Sequence, residues 1–169
     1  MTETMTRDQV VQEIEAAWAA YRARITAIPE NDLLGPTDER GWTARDHIDH
    51  VTAWEASMTF ALRGRPRYEG MGISAGDYAR DIDDLNEAIR EANAEASLAD
   101  VLEESERGHR DFLAAIRALP EGGLERPYAS YVPDAVDGRD EPVLARVLGN
   151  SAGHYPEHLE YIERIVGGR

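Results

Sequence analysis

The chain has 169 residues, of which 42% are hydrophobic and 30% charged, and its formal net charge is −15. This length favours a single domain over residues 1–169 with one sizeable core. Cysteine is absent, which excludes disulfides, thiolate nucleophiles and iron–sulfur ligation by this chain. All 18 basic residues are arginine, so Schiff-base chemistry through a lysine side chain is excluded as well.

The acidity of the chain also limits its partners. Nucleic acid binding depends on a basic surface that releases counterions from phosphates, so we expect no nucleic acid partner. No apolar run approaches the ~20 residues that cross a membrane, and the first residues are polar. The sequence therefore predicts a cytoplasmic protein that has neither a nucleic acid nor a membrane partner.

Helical periodicity dominates the chain, and no stretch shows sustained strand alternation. The first helix is predicted from about Thr6 to Ile28, and Pro29 and the Gly35-Pro36 pair end it. The second helix is predicted to begin near Thr43, a suitable N-cap, with Asp46 at the N3 position of a capping box. The loop that is predicted after this second helix is one of the few locally basic segments of the chain.

Two further helical segments are predicted in the middle of the chain. The first covers residues 77–94, and its inner face is predicted to carry Tyr78, Ile82, Leu85 and Ile89. The second begins at a capping box of Ser97 and Asp100. Residues 120–141 form a long connection, and the last helix is predicted from about Pro142 to the Gly167-Gly168 pair. Four principal helices favour an all-α four-helix bundle.

Three of the five histidines fall where apolar core residues are expected, namely His50, His154 and His158. His154 and His158 are four residues apart, and side chains with this spacing share one face of a helix, so both can point at one ion. A buried imidazole needs a partner, and a divalent metal is one. Three protein ligands leave a coordination position open, as in catalytic zinc sites. Imidazole suits zinc, nickel, copper and iron, so the ligand set does not select the metal.

The spacing leaves another interpretation open, in which His50 and His158 are core histidines hydrogen-bonded to carboxylates or carbonyls. Pro156 lies between the pair and is expected to kink the helix, because proline removes a hydrogen bond and clashes with the preceding turn. His47, one turn before His50, is expected at the rim of the site. His109 is either a fourth ligand or, as we expect, a core histidine.

Acidic and aromatic residues near the histidines are candidates for catalysis and binding. Glu55 and Glu160 could orient a ligand or act as a base, unless they are ordinary exposed glutamates. Trp54, one turn beyond His50, is either a core residue or a wall of the pocket. Arginines suit carboxylate groups of a substrate or cofactor. The arginines predicted in the basic loop are Arg63, Arg65 and Arg67.

Residues 41–55, GWTARDHIDHVTAWE, resemble the second helix of the DinB-like superfamily, which typically reads Trp-[Ser/Thr]-x-x-[Asp/Glu]-x-[Leu/Ile]-x-His-[Leu/Val]. The segment HYPEH at residues 154–158 fits the pattern of the last helix. Residues 84–90, DLNEAIR, followed by Ser97 and Ser105, are similar to the ClbS/DfsB branch of this superfamily. The resemblance covers residues 10–165.

The resemblance implies a DinB-like four-helix bundle of up-down-down-up type with long crossover loops. Carried over position by position, the metal triad of the superfamily corresponds to His50, His154 and His158. Members include transferases and isomerases that use a low-molecular-weight thiol, so such a thiol is an implied cofactor beside the divalent metal. The ClbS branch is known for hydrolysing a DNA-damaging, cyclopropane-bearing metabolite.

These observations predict a small enzyme, either a metal-dependent hydrolase or a thiol-dependent transferase, that detoxifies an electrophilic metabolite. In this hypothesis Glu55 or Glu160 deprotonates the nucleophile and Tyr155 donates to the leaving group. The alternative is a non-catalytic protein that sequesters a reactive metabolite without bound metal. A purely structural dimer is a third interpretation. Bundles of this kind often pair through helix faces, so a homodimer is expected.

Overall fold

The computed structural model describes residues 5–168, and in this part of the chain the regular structure is helical. Four long or paired helical segments form the bundle, and short helices fill the connections between them. The α-helices are α1 (Arg7–Thr26), α2 (Glu30–Leu34), α3 (Ala44–Leu62), α4 (Arg67–Met71), α5 (Ala75–Tyr78), α6 (Ile82–Ala92), α7 (Leu98–Arg117), α8 (Val143–Gly149) and α9 (His154–Gly167). A single 3-10 turn, Tyr128–Ser130, lies in the long connection before α8.

Capping boxes fix the starts of α1, α3 and α7. In each, the N-cap hydroxyl accepts the N3 backbone N–H and the N3 side chain accepts the N-cap N–H, which satisfies two donors that a helix start leaves unpaired. The pairs are Thr6 with Gln9, Thr43 with Asp46, and Ser97 with Asp100. The predicted starts of α3 and α7 are therefore confirmed.

Contacts along the helices give their directions. These contacts are Arg7–Leu119 and Glu15–Arg117 between α1 and α7, Arg45–Ala96 and Arg63–Asp111 between α3 and α7, and His47–His158 and Glu55–Tyr155 between α3 and α9. Between α1 and α7 and between α3 and α9, the residue number falls along the second helix as it rises along the first, so both pairs are antiparallel. Early residues meet early ones between α3 and α7, which are parallel. The helices therefore run up, down, down and up, as predicted.

The core lies between these four segments. The inner face of α1 is buried, with Val10 and Ile14 fully enclosed. The prediction that Ile82 lies on an inner face is wrong, because this residue is 57% exposed at the first position of α6. The predicted helix over residues 77–94 is in fact two helices, since Asp81 acts as a new N-cap for α6 by accepting the N–H of Asp84.

The predicted last helix is also divided into two. The side chains of Asn150 and Ser151 bond to the carbonyl oxygens of Arg146 and Val147, which is local competition of the kind that interrupts helices. As a result α9 begins at His154, and Pro156 occupies its first turn. A proline there costs no intrahelical bond, because N–H groups of the first turn have no partner within the helix. The expected kink between the two histidines is therefore absent.

Candidate metal centre

His50 on α3 and His154 and His158 on α9 converge inside the bundle. One nitrogen from each ring can be chosen so that all three lie within 4.8 Å of one another. The ring centroids of His50 and His158 are 4.5 Å apart, as are those of His154 and His158. His50 and His158 are buried and His154 is half-buried. The antiparallel packing of α3 on α9 thus brings together the three histidines that the sequence singled out.

The three imidazoles are neutral at physiological pH. Burial lowers the pKa of His154 to about 4. Burial, together with repulsion from His154 and His47, lowers the pKa of His158 to about 2, and the pKa of His50 also lies well below its ordinary value for reasons of burial and neighbouring histidines. A neutral imidazole has a free lone pair, which is the form that binds a metal.

The polar atoms at this site fit a divalent metal. His50 Nδ1 and His154 Nδ1 are buried, and among the described residues neither has a hydrogen-bond partner. An unpaired buried polar atom costs free energy, and coordination is one way of recovering it. Three histidines would hold the ion and leave a position for water or substrate. This donor set is compatible with zinc, nickel or iron.

The metal-free protein should lose stability as the pH falls. Because the folded state holds His154 with a pKa near 4, against about 6.5 when unfolded, protonation favours the unfolded chain below about pH 6.5. In EDTA, His154→Gln should therefore reduce the loss of unfolding free energy between pH 7 and pH 5 by about 1–2 kcal/mol. Urea titrations at both pH values measure this. The exposed Glu157→Gln on the same helix is the control and should leave the loss unchanged.

His47 is buried beside the triad, so its prediction as a rim residue is wrong. Its exposure is 3%, its Nδ1 lies 2.9 Å from His158 Nδ1, and its Nε2 lies 3.0 Å from Asp38 Oδ2. Burial lowers the pKa of His47 although Asp38 opposes this shift. Burial raises the pKa of Asp38, but hydrogen bonds from Trp42, His47 and Arg40 outweigh it and leave that pKa below its ordinary value. Asp38 was missed because it lies in the loop before α3, where helical spacing does not relate its side chain to the histidines.

Glu55 and Tyr155 belong to a second buried cluster, in which they meet His109. The Tyr155 hydroxyl donates to Glu55 Oε2, and Glu55 Oε1 lies 3.1 Å from His109 Nδ1. His109 also stacks on Trp18, with ring centroids 4.2 Å apart. Burial and the Glu55 carboxylate raise the pKa of Tyr155, which keeps its hydroxyl proton available as a donor. His109 is thus buried as expected for a core histidine.

The remaining catalytic candidate, Glu160, lies on the exposed side of α9. Its side chain is 64% exposed and pairs with Arg164, so its charge is held in solvent rather than beside the histidines. This placement does not favour a role as base. Trp54, by contrast, lies next to the triad, with its ring centroid 6.1 Å from that of His50 and 6.5 Å from that of His154.

The three candidate arginines are not one loop cluster, which corrects the predicted arrangement. Arg67 begins α4 and is buried, whereas Arg63 and Arg65 are exposed. The Arg67 guanidinium donates to neutral acceptors and lies over the Trp54 ring at 5.3 Å. Those acceptors are the Ser57 hydroxyl, the Tyr128 hydroxyl and the Asn150 side-chain oxygen. Arg67 therefore reaches the neighbourhood of the triad through Trp54, and the other two do not share its environment.

A family model described as the DinB superfamily matches residues 13–162 of this sequence. The chain belongs to the DinB superfamily. Members of this superfamily often bind metal, and the histidine triad of this DinB protein is compatible with that property. No curated protein sequence matches the chain significantly.

Several solved structures have the same fold as this DinB protein. An uncharacterised protein from Clostridium difficile 630 is 17% identical, with a TM-score of 0.73, over 96% of each chain. A protein from Streptococcus pneumoniae is 17% identical, with a TM-score of 0.70, over 97% of this chain and 92% of the other. A structure described as sibling lethal factor precursor DfsB is 17% identical, with a TM-score of 0.69, over 96% of this chain and 95% of the other. At these identities the likeness shows the fold.

A membrane-spanning helix would need a long apolar surface. Among residues 5–168, each helix is either too short or too polar to cross a bilayer.

Proposed function

We propose that this DinB protein holds one divalent metal on His50, His154 and His158 and acts on an electrophilic small molecule. The observation that carries this proposal is the convergence of three neutral imidazoles within 4.8 Å, two of them with a buried nitrogen that lacks a partner. Buried imidazole nitrogens without partners are costly, and a metal held by all three rings would supply the missing partner. The fold family supports the same interpretation, since its members often bind metal.

When bound, such a metal supplies Lewis acidity and lowers the pKa of a coordinated water or thiol. The protein groups around it bind and orient the reactants. Trp54 presents an apolar ring to the triad, which keeps bulk water from that side. Arg67 lies over the same ring and donates to neutral oxygens, so its positive charge can attract an anionic group. A carboxylate-bearing substrate or thiol cofactor suits this arrangement.

Glu55 and Tyr155 support the site from the other side of α9 in this proposal. Tyr155 directly follows His154, and its hydroxyl is fixed by Glu55 on α3. This contact holds the first turn of α9 against α3, where His154 must point for the triad to form. We therefore place these two residues in positioning α9, and the reaction is either hydrolysis or transfer of a thiol to the electrophile.

Metal content tests the proposal directly. Untagged wild-type protein, reconstituted with zinc and desalted, should contain about one equivalent by elemental analysis. His50→Ala should contain almost none, because two histidines on one helix bind weakly. His109→Gln removes another buried histidine outside the triad and should retain the metal. Absence of metal from the wild type after reconstitution with zinc, nickel and iron would contradict the proposal.

Turnover separates an enzyme from a sequestering protein. With an electrophilic substrate in excess, an enzyme continues beyond one equivalent, whereas a protein that sequesters the compound protects only up to its own molar amount. The assay should be run with and without a low-molecular-weight thiol, because a thiol requirement identifies a transferase and its absence a hydrolase. Protection that stops at one equivalent under both conditions would favour sequestration.

A further inference from the structure

A chain of hydrogen bonds leads from the loop before α3 to the candidate metal centre. It runs from Asp38 Oδ2 to His47 Nε2 over 3.0 Å and from His47 Nδ1 to His158 Nδ1 over 2.9 Å. We propose that Asp38 and His47 are positioning residues that fix the tautomer of His158 and thereby leave its Nε2 lone pair free for a metal. This inference rests on the proposed function, since it concerns the same site.

The two oxygens of Asp38 have different partners. Oδ1 accepts the backbone N–H groups of Arg40 and Trp42, both at 2.9 Å, while Oδ2 faces His47. A carboxylate can only accept hydrogen bonds, so the hydrogen between Asp38 and His47 belongs to His47 Nε2. The backbone contacts also hold the carboxylate in place, because Asp38 N donates to Trp42 O at 2.9 Å and closes the loop.

The tautomer of His158 follows from that of His47. A neutral imidazole carries one N–H, so a hydrogen on His47 Nε2 makes its Nδ1 an acceptor. The hydrogen between the two rings must then come from His158 Nδ1. With its hydrogen on Nδ1, His158 has its lone pair on Nε2, which is the nitrogen left for coordination. Partners of this kind are known to orient metal-binding histidines and to raise their affinity for the metal.

The surroundings of His47 keep its ring from turning over. Tyr161 stacks on it with ring centroids 5.5 Å apart and planes at 25°, and Trp42 packs on it at 5.3 Å. The Trp42 ring also lies 5.4 Å from that of His50, so the tryptophan that helps hold Asp38 packs against the triad as well. The same packing leaves His47 buried, where the loss of either hydrogen bond is not compensated by water.

Asp38→Asn is the most informative substitution because it reverses the direction of the hydrogen bonds that lead from residue 38 through His47 to His158. The N–H groups of Arg40 and Trp42 still require an acceptor, so the amide oxygen takes the position of Oδ1 and the amide nitrogen faces His47. That nitrogen donates to His47 Nε2, which moves the hydrogen of His47 to Nδ1 and that of His158 to Nε2. The lone pair needed for coordination is then blocked. An Asp→Asn change that leaves geometry intact but imposes the wrong histidine tautomer is known from the serine protease triad.

Zinc affinity, measured by competition with a chromogenic chelator, tests this inference. Asp38→Asn should weaken zinc binding by about 10–100-fold. Asp38→Ala should weaken it less, because it releases His47 without imposing the reversed tautomer. Glu39→Gln removes the same charge from an exposed neighbour and should have no effect. If Asp38→Asn weakened binding no more than Asp38→Ala, the tautomer argument would be wrong even though the metal site stood.

Histidine tautomers in the metal-free protein give a second readout that requires no bound metal. Two-dimensional ¹H–¹⁵N NMR of histidine-labelled protein should show His47 protonated on Nε2 and His158 on Nδ1. In Asp38→Asn both should change to the other nitrogen. Detection of His158 protonated on Nε2 in the wild type would overturn the inference. Failure of the wild type to bind zinc would instead count against the proposed function, while the NMR result would still decide the tautomers.

Discussion

Glu55→Ala is expected to lower the free energy of unfolding by about 2–5 kcal/mol, because it leaves two buried groups, the Tyr155 hydroxyl and the His109 ring, without their shared partner. Glu55 is 2% exposed and accepts from Tyr155 on α9 while contacting His109 on α7. Its loss therefore affects three of the four segments of the bundle. Urea denaturation followed by circular dichroism measures the change.

The same substitution at an exposed glutamate provides the control. Glu103→Ala on α7 should change the unfolding free energy by less than about 0.5 kcal/mol. Tyr155→Phe, which removes one hydroxyl from the cluster, should have a smaller effect than Glu55→Ala, of about 1–2 kcal/mol. If Glu55→Ala were as mild as Glu103→Ala, the carboxylate would not hold the helices together, and its prediction as a catalytic base would regain weight.

Arg67→Ala is expected to destabilise the protein by about 2–4 kcal/mol, because two buried acceptors and one half-buried acceptor lose their donor together. Ser57 on α3, Tyr128 in the long connection and Asn150 after α8 all accept from this one guanidinium. Arg67→Lys should rescue little of the loss, since an ammonium group cannot match a planar set of donors. Thermal and urea unfolding report the change.

Arg65→Ala is the matched control, because Arg65 is exposed and pairs with Glu69 on the surface. Its cost should stay below about 1 kcal/mol. Stability that is unaffected by Arg67→Ala would show that the buried arginine is kept for a ligand rather than for the fold. Combined measurement of stability and of affinity for an anionic substrate thus separates the two roles.

The sequence predicted α3 and the triad well because local rules determine both. The Thr43–Asp46 capping box sets where α3 begins, and the period of the helix then places His50 on its inner face. The direction of all four segments also followed from the resemblance to a known fold. These features depend either on neighbours in sequence or on a pattern shared with a known family. Both kinds of signal can be recognised in one sequence.

Features that depend on distant contacts could not be predicted. Arg67 was expected in a basic loop, yet its environment comes from residues on three other segments. Glu55 was expected near the ligands, yet it contacts Tyr155 and His109 instead. Asp38 had no signal at all, since its relation to His47 depends on how the loop folds back on α3. Spacing along a helix gives the face of a side chain but not the partner opposite to it.

The division of the triad between α3 and α9 has a consequence for the order in which the site forms during synthesis. Of its three histidines, two are contributed by a helix that is translated after α1, α3 and α7. Until α9 docks, the nascent chain has His50 alone, and Trp18 and Tyr21 on α1 lack the aromatic ring of Tyr155 that packs on them. Under the proposed function, a metal is therefore captured only by a chain whose bundle is already complete. Incorporation of the ion would report that folding has finished, and incomplete chains in the cell would not compete for it.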